Sequence, residues 1–156
     1  DRLEAERELE RLVHRYARLC DPIDPDAIAA LFTEDGTWSS RTADGAVDFG
    51  RFEGREGIRA GFVGLAALID APTLHTVSQP ELEVDVDAGT ARGSWYTLVV
   101  TRPRPAPGQP GEPILLGATY EHEYRRVDGR WLLSRLDTEI QFMEPLTRPG
   151  AGEEGR

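Results

Sequence analysis

The sequence predicts an α+β fold in which N-terminal helices pack on a strongly curved antiparallel sheet. Helical periodicity is confined to the first half of the chain, at residues 9–32 and 58–68. From residue 81 onward, segments that alternate apolar and polar residues are separated by short Asp-Gly or Asp-Ala-Gly turns. Helices followed by consecutive hairpins are typical of folds whose helices cover one face of an antiparallel sheet.

The length and composition indicate one globular domain. The chain has 156 residues, of which 39% are hydrophobic and 29% are charged, and this size is sufficient to bury one core. We expect the domain to cover residues 1–144. Residues 145–156 are rich in Pro, Gly and Glu and are expected to form a flexible tail.

The first helix is predicted from apolar residues that recur on one helical face. Pro22 ends this helix, and Asp24 followed by Pro25 supplies the cap and the first turn of a short second helix through Phe32. Asp21 therefore lies in the tight corner between the two helices. The apolar residues of the first helix are Leu9, Leu12, Val13, Tyr16, Leu19 and Cys20.

Two short strands and a third helix are predicted after this corner. A turn at Glu34-Asp35-Gly36 precedes the strands, which cover residues 37–40 and 49–53. Apolar residues at helical spacing predict the third helix at residues 58–68. Two internal glycines lower its intrinsic helix propensity.

The second half of the chain is predicted to be strand. Residues 81–87 alternate strictly between acidic and aliphatic side chains, which is typical of a strand with one face in water. Further strands are expected at 91–101, 114–127 and 131–142. The segment 102–113 contains five prolines and is predicted to be a loop between two long strands.

The charge pattern argues against several classes of partner. The formal net charge is -10, so the surface field repels nucleic-acid phosphates and anionic lipid headgroups. We therefore expect neither a nucleic acid nor a membrane as a partner. The N-terminus shows no signal-peptide pattern, and the single Cys20 allows no internal disulfide. A reducing, cytoplasmic location is expected.

The candidate catalytic residues are two histidines, an aspartate and a tyrosine. Alternation in strand 114–127 directs His122 inward together with Tyr120, and His75 stands at the start of another strand. Each also has a structural interpretation, since an inward histidine is often a core residue and Asp21 before Pro22 can cap a turn.

Together these residues indicate proton-transfer chemistry. A carboxylate that accepts the Nδ1 proton of a histidine fixes its tautomer and frees Nε2 to take a proton from carbon. Asp21 and His75 could form this pair, with Tyr16 and His122 as hydrogen-bond donors to a developing enolate. No cofactor is required. A metal site built from His75, His122 and Asp21 has suitable ligand types, but the proton-transfer interpretation is preferred.

Other chemistries have less support. The glycines match neither the dinucleotide fingerprint nor the P-loop spacing. The sequence also contains no Gly-x-Ser-x-Gly nucleophile elbow. Cys20 lies on the apolar helix face and is interpreted as a packing residue.

Two segments resemble the SnoaL-like branch of the NTF2-like superfamily. They are residues 16–36, which begin Tyr-Ala-Arg-Leu-Cys-Asp, and residues 120–131, which contain His-x-Tyr-x-x-x-Asp-Gly-x-Trp. The resemblance implies a cone-shaped fold. It also implies that Asp21 and His75 occupy the Asp–His dyad of that branch's dehydratases and dehydrochlorinase, and that His122 matches a second pocket histidine. Tyr16 falls at the spacing of a dehydratase tyrosine.

The sequence departs from individual family members at two places. Cys20 stands where scytalone dehydratase carries a tyrosine, and Met143 lies where its pocket asparagine is expected. The strand Trp38-Ser39-Ser40 lacks the carboxylate that ketosteroid isomerases use as a base. These departures argue against scytalone as the substrate and against a steroid double-bond shift by that route.

The resulting expectation is a cofactor-independent lyase of the dehydratase type that acts on a small hydrophobic cyclic substrate. His75, oriented by Asp21, would remove the proton, and Tyr16 or His122 would assist the leaving hydroxide. A polyketide or terpenoid cyclase or isomerase with the same pocket is one alternative. A non-catalytic NTF2-like binding or assembly subunit is another. The expected pocket residues are Phe32, Trp38, Trp95 and Tyr120.

A homo-oligomer, either a dimer or a trimer, is also expected. Tyr96, Leu98 and Val100 lie on one face of strand 91–101, whereas Trp95 and Val99 lie on the other. A strand that is apolar on both faces usually has both faces covered.

Overall fold

The computed structural model describes residues 1–70, 72–106 and 111–146. Within these residues, three helices and one six-stranded sheet form the predicted α+β fold. The helices are α1 (Arg2–Cys20), α2 (Pro25–Ala29) and α3 (Gly54–Leu68); the strands are β1 (Phe32–Thr42), β2 (Asp48–Glu53), β3 (Leu74–Asp85), β4 (Thr90–Thr101), β5 (Ile114–Val127) and β6 (Arg130–Pro145).

The strand order in the sheet is β2-β1-β6-β5-β4-β3. Four of the five neighbouring pairs are antiparallel, as predicted, and β1 and β6 pair in parallel. Each antiparallel pair joins strands that are consecutive along the chain and connected by a turn or a loop. The consecutive strands β2 and β3, which α3 separates, are not neighbours in the sheet. β1 and β6 are separated by most of the chain, so no hairpin dictates their relative direction.

The predicted turn at residues 34–36 lies inside β1 as an irregularity. Phe32 pairs with Leu133 and Thr37 with Arg135, so β1 carries three more residues than β6 over this interval. A Cβ atom on Gly36 would lie 3.0 Å from the carbonyl oxygen of Thr33. Glycine therefore allows the chain to fold tightly here while the strand continues.

Helix α1 begins earlier than its apolar pattern predicted. Asp1 caps it, because the Asp1 carboxylate accepts a hydrogen bond from the backbone N–H of Glu4 at 2.9 Å. The predicted apolar face is buried against the sheet, where it forms much of the core. Its buried residues are Ala5, Leu9, Leu12, Val13, Tyr16, Ala17 and Cys20.

Helix α2 starts as predicted and ends three residues earlier. The Asp24 carboxylate accepts from the Ala27 backbone N–H at 3.0 Å, and Pro25 occupies the first turn. The helix stops at Ala29 because the chain then joins the sheet: the Leu133 backbone N–H donates to the carbonyl oxygen of Leu31 at 2.9 Å.

Helix α3 packs closely on β2 through Gly61. A Cβ atom on Gly61 would lie 2.2 Å from the ring of Phe52, which is closer than any side chain permits. Phe52 in turn stacks on Trp38, with ring centroids 5.0 Å apart and planes at 6°. The glycine therefore permits the packing that holds Trp38 in place.

The end of α3 is tied to the segment after β4. The Asp70 backbone N–H donates to the carbonyl oxygen of Arg102, and the Arg104 backbone N–H donates to that of Leu68, both at 2.8 Å. Arg104 Nε also donates to the Asp70 carboxylate at 3.1 Å. The predicted loop 102–113 is thus partly anchored, although its residues 107–110 lie outside the described residues.

The predicted C-terminal tail is mostly outside the described residues, which end at Leu146. Strand β6 continues to Pro145, one residue past the predicted domain limit. In the part of the chain that the structure describes, none of the helices combines the length and the apolar character needed to cross a membrane.

Candidate active site

A cavity of about 140 Å³ lies between the concave face of the sheet and the helices. Apolar side chains from all parts of the fold dominate its wall, which has the character of a small-molecule site. His75, Tyr16 and Tyr120 are the lining residues with titratable side chains besides Cys20. Apolar lining residues include Ile23, Phe49, Phe62, Leu65, Val99 and Leu116.

Asp21 and His75 are hydrogen-bonded at the edge of this cavity. Oδ1 of Asp21 lies 2.9 Å from His75 Nδ1, and it accepts a second hydrogen bond from the His75 backbone N–H, also at 2.9 Å. Only 15% of the Asp21 side chain and 14% of the His75 side chain are exposed. The carboxylate can only accept, so Nδ1 carries the proton and Nε2 is the basic nitrogen.

The corner at the end of α1 fixes Asp21 beside the start of β3. The Thr73 backbone N–H donates to the carbonyl oxygen of Asp21 at 2.9 Å, and the Thr73 hydroxyl donates to that of Cys20 at 3.2 Å. Ile23 adopts a positive φ of 54°, which turns the chain away toward α2. Two backbone segments 54 residues apart are thereby held in one arrangement.

Burial lowers the pKa of His75, and the neighbouring Asp21 carboxylate opposes this shift through a hydrogen bond and its charge. The pKa of His75 therefore lies below its ordinary value of 6.5. At neutral pH the imidazole is therefore neutral. Its Nε2 has no hydrogen-bond partner among the described residues, so this nitrogen is available to accept a proton from a bound molecule.

Tyr16 projects from α1 into the same cavity. Trp38 Nε1 donates to the Tyr16 phenol oxygen at 2.8 Å, which orients the phenol and leaves its own proton free to be donated. Burial raises the pKa of Tyr16 well above 10, and burial also raises the pKa of Tyr120. The two rings meet edge to face with centroids 6.1 Å apart. Both phenols remain protonated hydrogen-bond donors.

The structure does not bring His122 to the cavity. It is buried on the inward face of β5 as predicted, but its ring stacks on Tyr120 at 5.4 Å, and Nδ1 lies 2.8 Å from the Tyr124 phenol oxygen. The cause is its depth along the strand: Tyr120 forms the cavity wall, and His122, two residues further along β5, lies beyond it. His122 was expected to line the pocket, and the structure corrects this expectation by placing it outside the cavity.

His122 is also held neutral. Burial lowers its pKa to about 3, although the charge of Asp137 favours the protonated form. Trp95 Nε1 donates to the Tyr124 phenol oxygen at 3.1 Å, so the phenol proton is free to go to His122 Nδ1. His122 Nε2 is buried without a partner among the described residues.

Two of the four expected pocket aromatics lie elsewhere in the core. Trp38 and Tyr120 line the cavity. Phe32 is fully buried behind Tyr16, with ring centroids 6.3 Å apart, and Trp95 is directed toward Tyr124. Phe32 supports the cavity wall from behind through its contact with Tyr16. Phe32 and Trp95 were expected to line the pocket, and the structure corrects this expectation, as it does for His122.

Several hydroxyl groups in the cavity wall were not anticipated. Ser40, Thr97, Thr101 and Thr138 line it together with Thr73. No sequence motif marks such residues, because Ser and Thr are common in strands. The alternation of β4 was the signal that could have found two of these residues, because it places Thr97 and Thr101 on the same face as Trp95.

Cys20 lines the cavity as well, one helical turn after Tyr16. Burial raises the pKa of its thiol to about 12, so the thiolate needed for nucleophilic attack is scarce at neutral pH. This supports the interpretation of Cys20 as a packing residue. Among the residues that the structure describes, no three His, Cys, Asp or Glu side chains are grouped as metal ligands would be.

A curled six-stranded sheet whose concave face and covering helices enclose a cavity is the NTF2-like fold. The model of the SnoaL-like domain family matches residues 1–137. The chain belongs to the SnoaL-like domain family. A search of curated proteins found no significant match.

Solved structures of similar fold cover nearly the whole chain. One is a type 2 hexachlorocyclohexane dehydrochlorinase, LinA, with 24% identity and a TM-score of 0.77 over 96% of this chain and 97% of the other. The type 3 LinA of Novosphingobium barchaimii has 23% identity and a TM-score of 0.77, over 100% and 97%.

A protein from Novosphingobium aromaticivorans, provisionally described as a scytalone dehydratase, has 22% identity and a TM-score of 0.76, over 99% and 96%. At such identities the similarity establishes the fold of this chain. Its reaction has to be argued from its own residues.

Proposed function

We propose that this protein is a cofactor-independent lyase of the dehydratase type, in which His75 is the general base and Asp21 orients it. The observation that carries the proposal is the 2.9 Å contact between Asp21 Oδ1 and His75 Nδ1 at the edge of an apolar cavity. The contact leaves Nε2 of a neutral imidazole as the proton acceptor.

The proposed reaction begins with proton abstraction. Nε2 of His75 takes a proton from a carbon next to a carbonyl group, and the electron pair of the broken C–H bond moves to the carbonyl oxygen. The resulting enolate oxygen accepts hydrogen bonds from the Tyr16 or Tyr120 phenol. Asp21 keeps its negative charge and stabilises the imidazolium that forms.

Elimination completes the reaction. The enolate electrons form a carbon–carbon double bond while the C–O bond at the β-carbon breaks. The imidazolium returns its proton to the departing oxygen, which leaves as water, and His75 is neutral again. Tyr120 takes over the donor role that the sequence suggested for His122, because Tyr120 lines the cavity and His122 does not.

The cavity size favours a compact substrate. Its volume of about 140 Å³ is close to that of an engineered apolar cavity that accommodates benzene. A single six-membered ring is therefore the natural core of the substrate. The dehydrochlorinases of similar fold act, by their description, on hexachlorocyclohexane, which also has one six-membered ring.

Two alternatives use the same residues differently. A cyclase or isomerase would form the same enolate without losing water, and the cavity is compatible with both. A purely structural binding module would need the Asp21–His75 hydrogen bonds only as a tie between α1 and β3, and would have no use for the second ring nitrogen of a histidine in the cavity wall. Nε2 of His75 has no hydrogen-bond partner in the part of the chain that the structure describes, and this supports a catalytic use.

An elimination assay tests the proposal. The protein is incubated with single-ring β-hydroxy ketones such as 3-hydroxycyclohexanone, and the enone product is followed by its ultraviolet absorbance. We expect enzyme-dependent enone formation that is lost in His75→Ala and retained in His14→Ala. His14 is an exposed histidine of α1 outside the cavity, so it is a matched control. Equal rates in wild type and His75→Ala would contradict the proposal.

We also propose that the protein forms a homo-oligomer through the outer face of the sheet. Tyr96, Leu98 and Phe142 are 59%, 50% and 43% exposed, and they line one shallow depression on that face. Burial of such a patch in a second copy would remove it from water. Light scattering at micromolar concentration should show a dimer or trimer that Leu98→Glu dissociates; a wild-type monomer would contradict the proposal.

A further inference from the structure

Three of the five aliphatic hydroxyl groups in the cavity wall are already bonded or enclosed by the protein. Thr73 donates to the carbonyl oxygen of Cys20 at 3.2 Å, and Thr97 donates to that of Thr76 at 3.1 Å. The Thr101 oxygen is sealed inside the wall, where it meets neither a polar partner among the described residues nor open space. None of these three hydroxyl groups is therefore offered to a bound molecule.

Ser40 and Thr138 carry the other two hydroxyl groups, and these are open. Both residues line the cavity. In the part of the chain that the structure describes, neither hydroxyl has a hydrogen-bond partner, and neither is closed off as Thr101 Oγ1 and His122 Nε2 are. Ser40 is only 6% exposed, so the space that its hydroxyl meets is the cavity. A bound molecule can reach both groups.

The register of the sheet places the two hydroxyl groups side by side. Ser40 pairs with Thr138 across the parallel strands β1 and β6. Paired residues of neighbouring strands present their side chains to the same face, about 5 Å apart. One oxygen atom of a ligand can therefore accept hydrogen bonds from both residues, which we call the hydroxyl pair.

The hydroxyl pair and His75 lie on different sides of the cavity. Strand β3, which carries His75, is separated from strand β1, which carries Ser40, by three strands of the sheet. The Tyr120 phenol belongs to the side of His75: burial raises its pKa, and the charges of Cys20 and Asp21 at the end of α1 add to this shift. A ring whose reacting carbonyl lies at His75 therefore turns its far side toward the hydroxyl pair.

We propose that Ser40 and Thr138 together bind an oxygen substituent on the far side of the substrate ring and thereby determine specificity. The proposal rests on the proposed function, because it assigns the substrate class of the same site: cyclic ketones with a second carbonyl or hydroxyl group across the ring. A hydrocarbon group at that position leaves both hydroxyl groups unpaired. A site that hydrogen-bonds a substrate group rejects analogues that lack this group.

The test compares cyclohexane-1,4-dione with 4-methylenecyclohexanone by NMR titration of the ¹⁵N-labelled protein. The two probes have nearly equal shape, share one ketone and differ only in the oxygen across the ring. Wild type should bind the dione more tightly, by more than the statistical advantage of its two equivalent ketones. The double variant Ser40→Ala/Thr138→Val should weaken dione binding by about tenfold and change binding of the methylene ketone by less than about twofold, as for lost hydrogen bonds.

Thr101→Val is the matched control, because it removes a sealed hydroxyl from the same wall. It should keep the wild-type preference for the dione. Amide spectra without probe establish that each variant is folded, and Ser40→Ala and Thr138→Val are measured singly if the double variant does not fold. Each single variant should lose part of the preference.

Four results would overturn the proposal. They are a wild type that binds both probes equally or binds neither, an unchanged preference after removal of the hydroxyl pair, equal weakening of both probes, and loss of the preference in Thr101→Val. Equal weakening would indicate a packing role. The titration involves no turnover, so its outcome is separate from whether His75→Ala abolishes elimination.

Discussion

Oδ1 of Asp21 accepts two hydrogen bonds from His75, one from the backbone N–H and one from Nδ1, each 2.9 Å long. The first fixes the position of the residue, and the second fixes its tautomer and the plane of its ring. One carboxylate oxygen therefore connects the end of α1 to the start of β3 and directs Nε2 away from the contact. The proposed chemistry depends on this arrangement.

The first prediction concerns the titration of His75, which can be followed by NMR of its ring protons without a substrate. Burial lowers the pKa of His75, and Asp21 opposes the shift. The midpoint in wild type should therefore lie below 6.5, and Asp21→Asn should move it lower still, because the charge that favours the imidazolium is removed.

Asp26→Asn is the matched control for this titration, since Asp26 is an exposed carboxylate on the neighbouring helix α2. It should leave the His75 midpoint unchanged. A wild-type midpoint above 6.5, or a rise in Asp21→Asn, would show that the pair does not interact as described.

The second prediction concerns the pH dependence of stability. His122 has a pKa of about 3 in the folded protein, against about 6.5 in the unfolded chain. Below pH 6.5 the unfolded chain binds a proton that the folded protein does not. The free energy of unfolding should therefore fall with decreasing pH, by about 1.4 kcal/mol per pH unit for this residue.

Urea unfolding between pH 7 and pH 5 measures this dependence in a range where most carboxylates remain ionised. His122→Gln should flatten the curve, although the lowered pKa of His75 leaves a slope of the same sign. His14→Gln controls for the change of residue type at an exposed position. Identical slopes in wild type and His122→Gln would argue against a neutral, buried His122.

The third prediction uses two glycines of α3 as a matched pair. A Cβ atom at Gly64 would meet no atom within 4 Å, whereas one at Gly61 would lie 2.2 Å from the Phe52 ring. Gly64→Ala should stabilise the protein by about 0.5–1 kcal/mol through helix propensity. Gly61→Ala should destabilise it, because Phe52 must leave its stacked position on Trp38.

Thermal and urea unfolding of both variants provide the measurement. Equal stabilisation by the two alanines would mean that α3 does not pack on Phe52 in this way. Trp38 fluorescence gives a second readout, since only the Gly61 substitution should change the surroundings of that indole.

Local patterns in the sequence were sufficient for most of the fold. The apolar stripe of α1 and the alternation in β5 are short-range signals; β5 has the predicted bounds, and α1 ends as predicted but begins seven residues earlier. The parallel pairing of β1 with β6 was not anticipated. It is a contact between distant segments, and nothing in either segment alone specifies the direction of its partner.

The candidate site was predicted in part for a similar reason. Strand phase shows which face a residue occupies but not its depth in the cone. His122 therefore faces inward as expected but lies beyond Tyr120, outside the cavity. Asp21 was indicated by its corner position, whereas no motif draws attention to the hydroxyl residues of the cavity wall such as Thr97 and Thr101.

The most direct test of the central claim is a double-mutant cycle on His75 and Asp21 in the elimination assay. His75→Ala should lower turnover by about 10²–10⁴-fold, the range for a lost general base, and Asp21→Asn should cost a comparable factor because the imidazole loses its fixed tautomer. The double variant should be little slower than either single variant, since the two residues act as a unit. Full activity in His75→Ala, or effects of the two substitutions that multiply, would contradict the account.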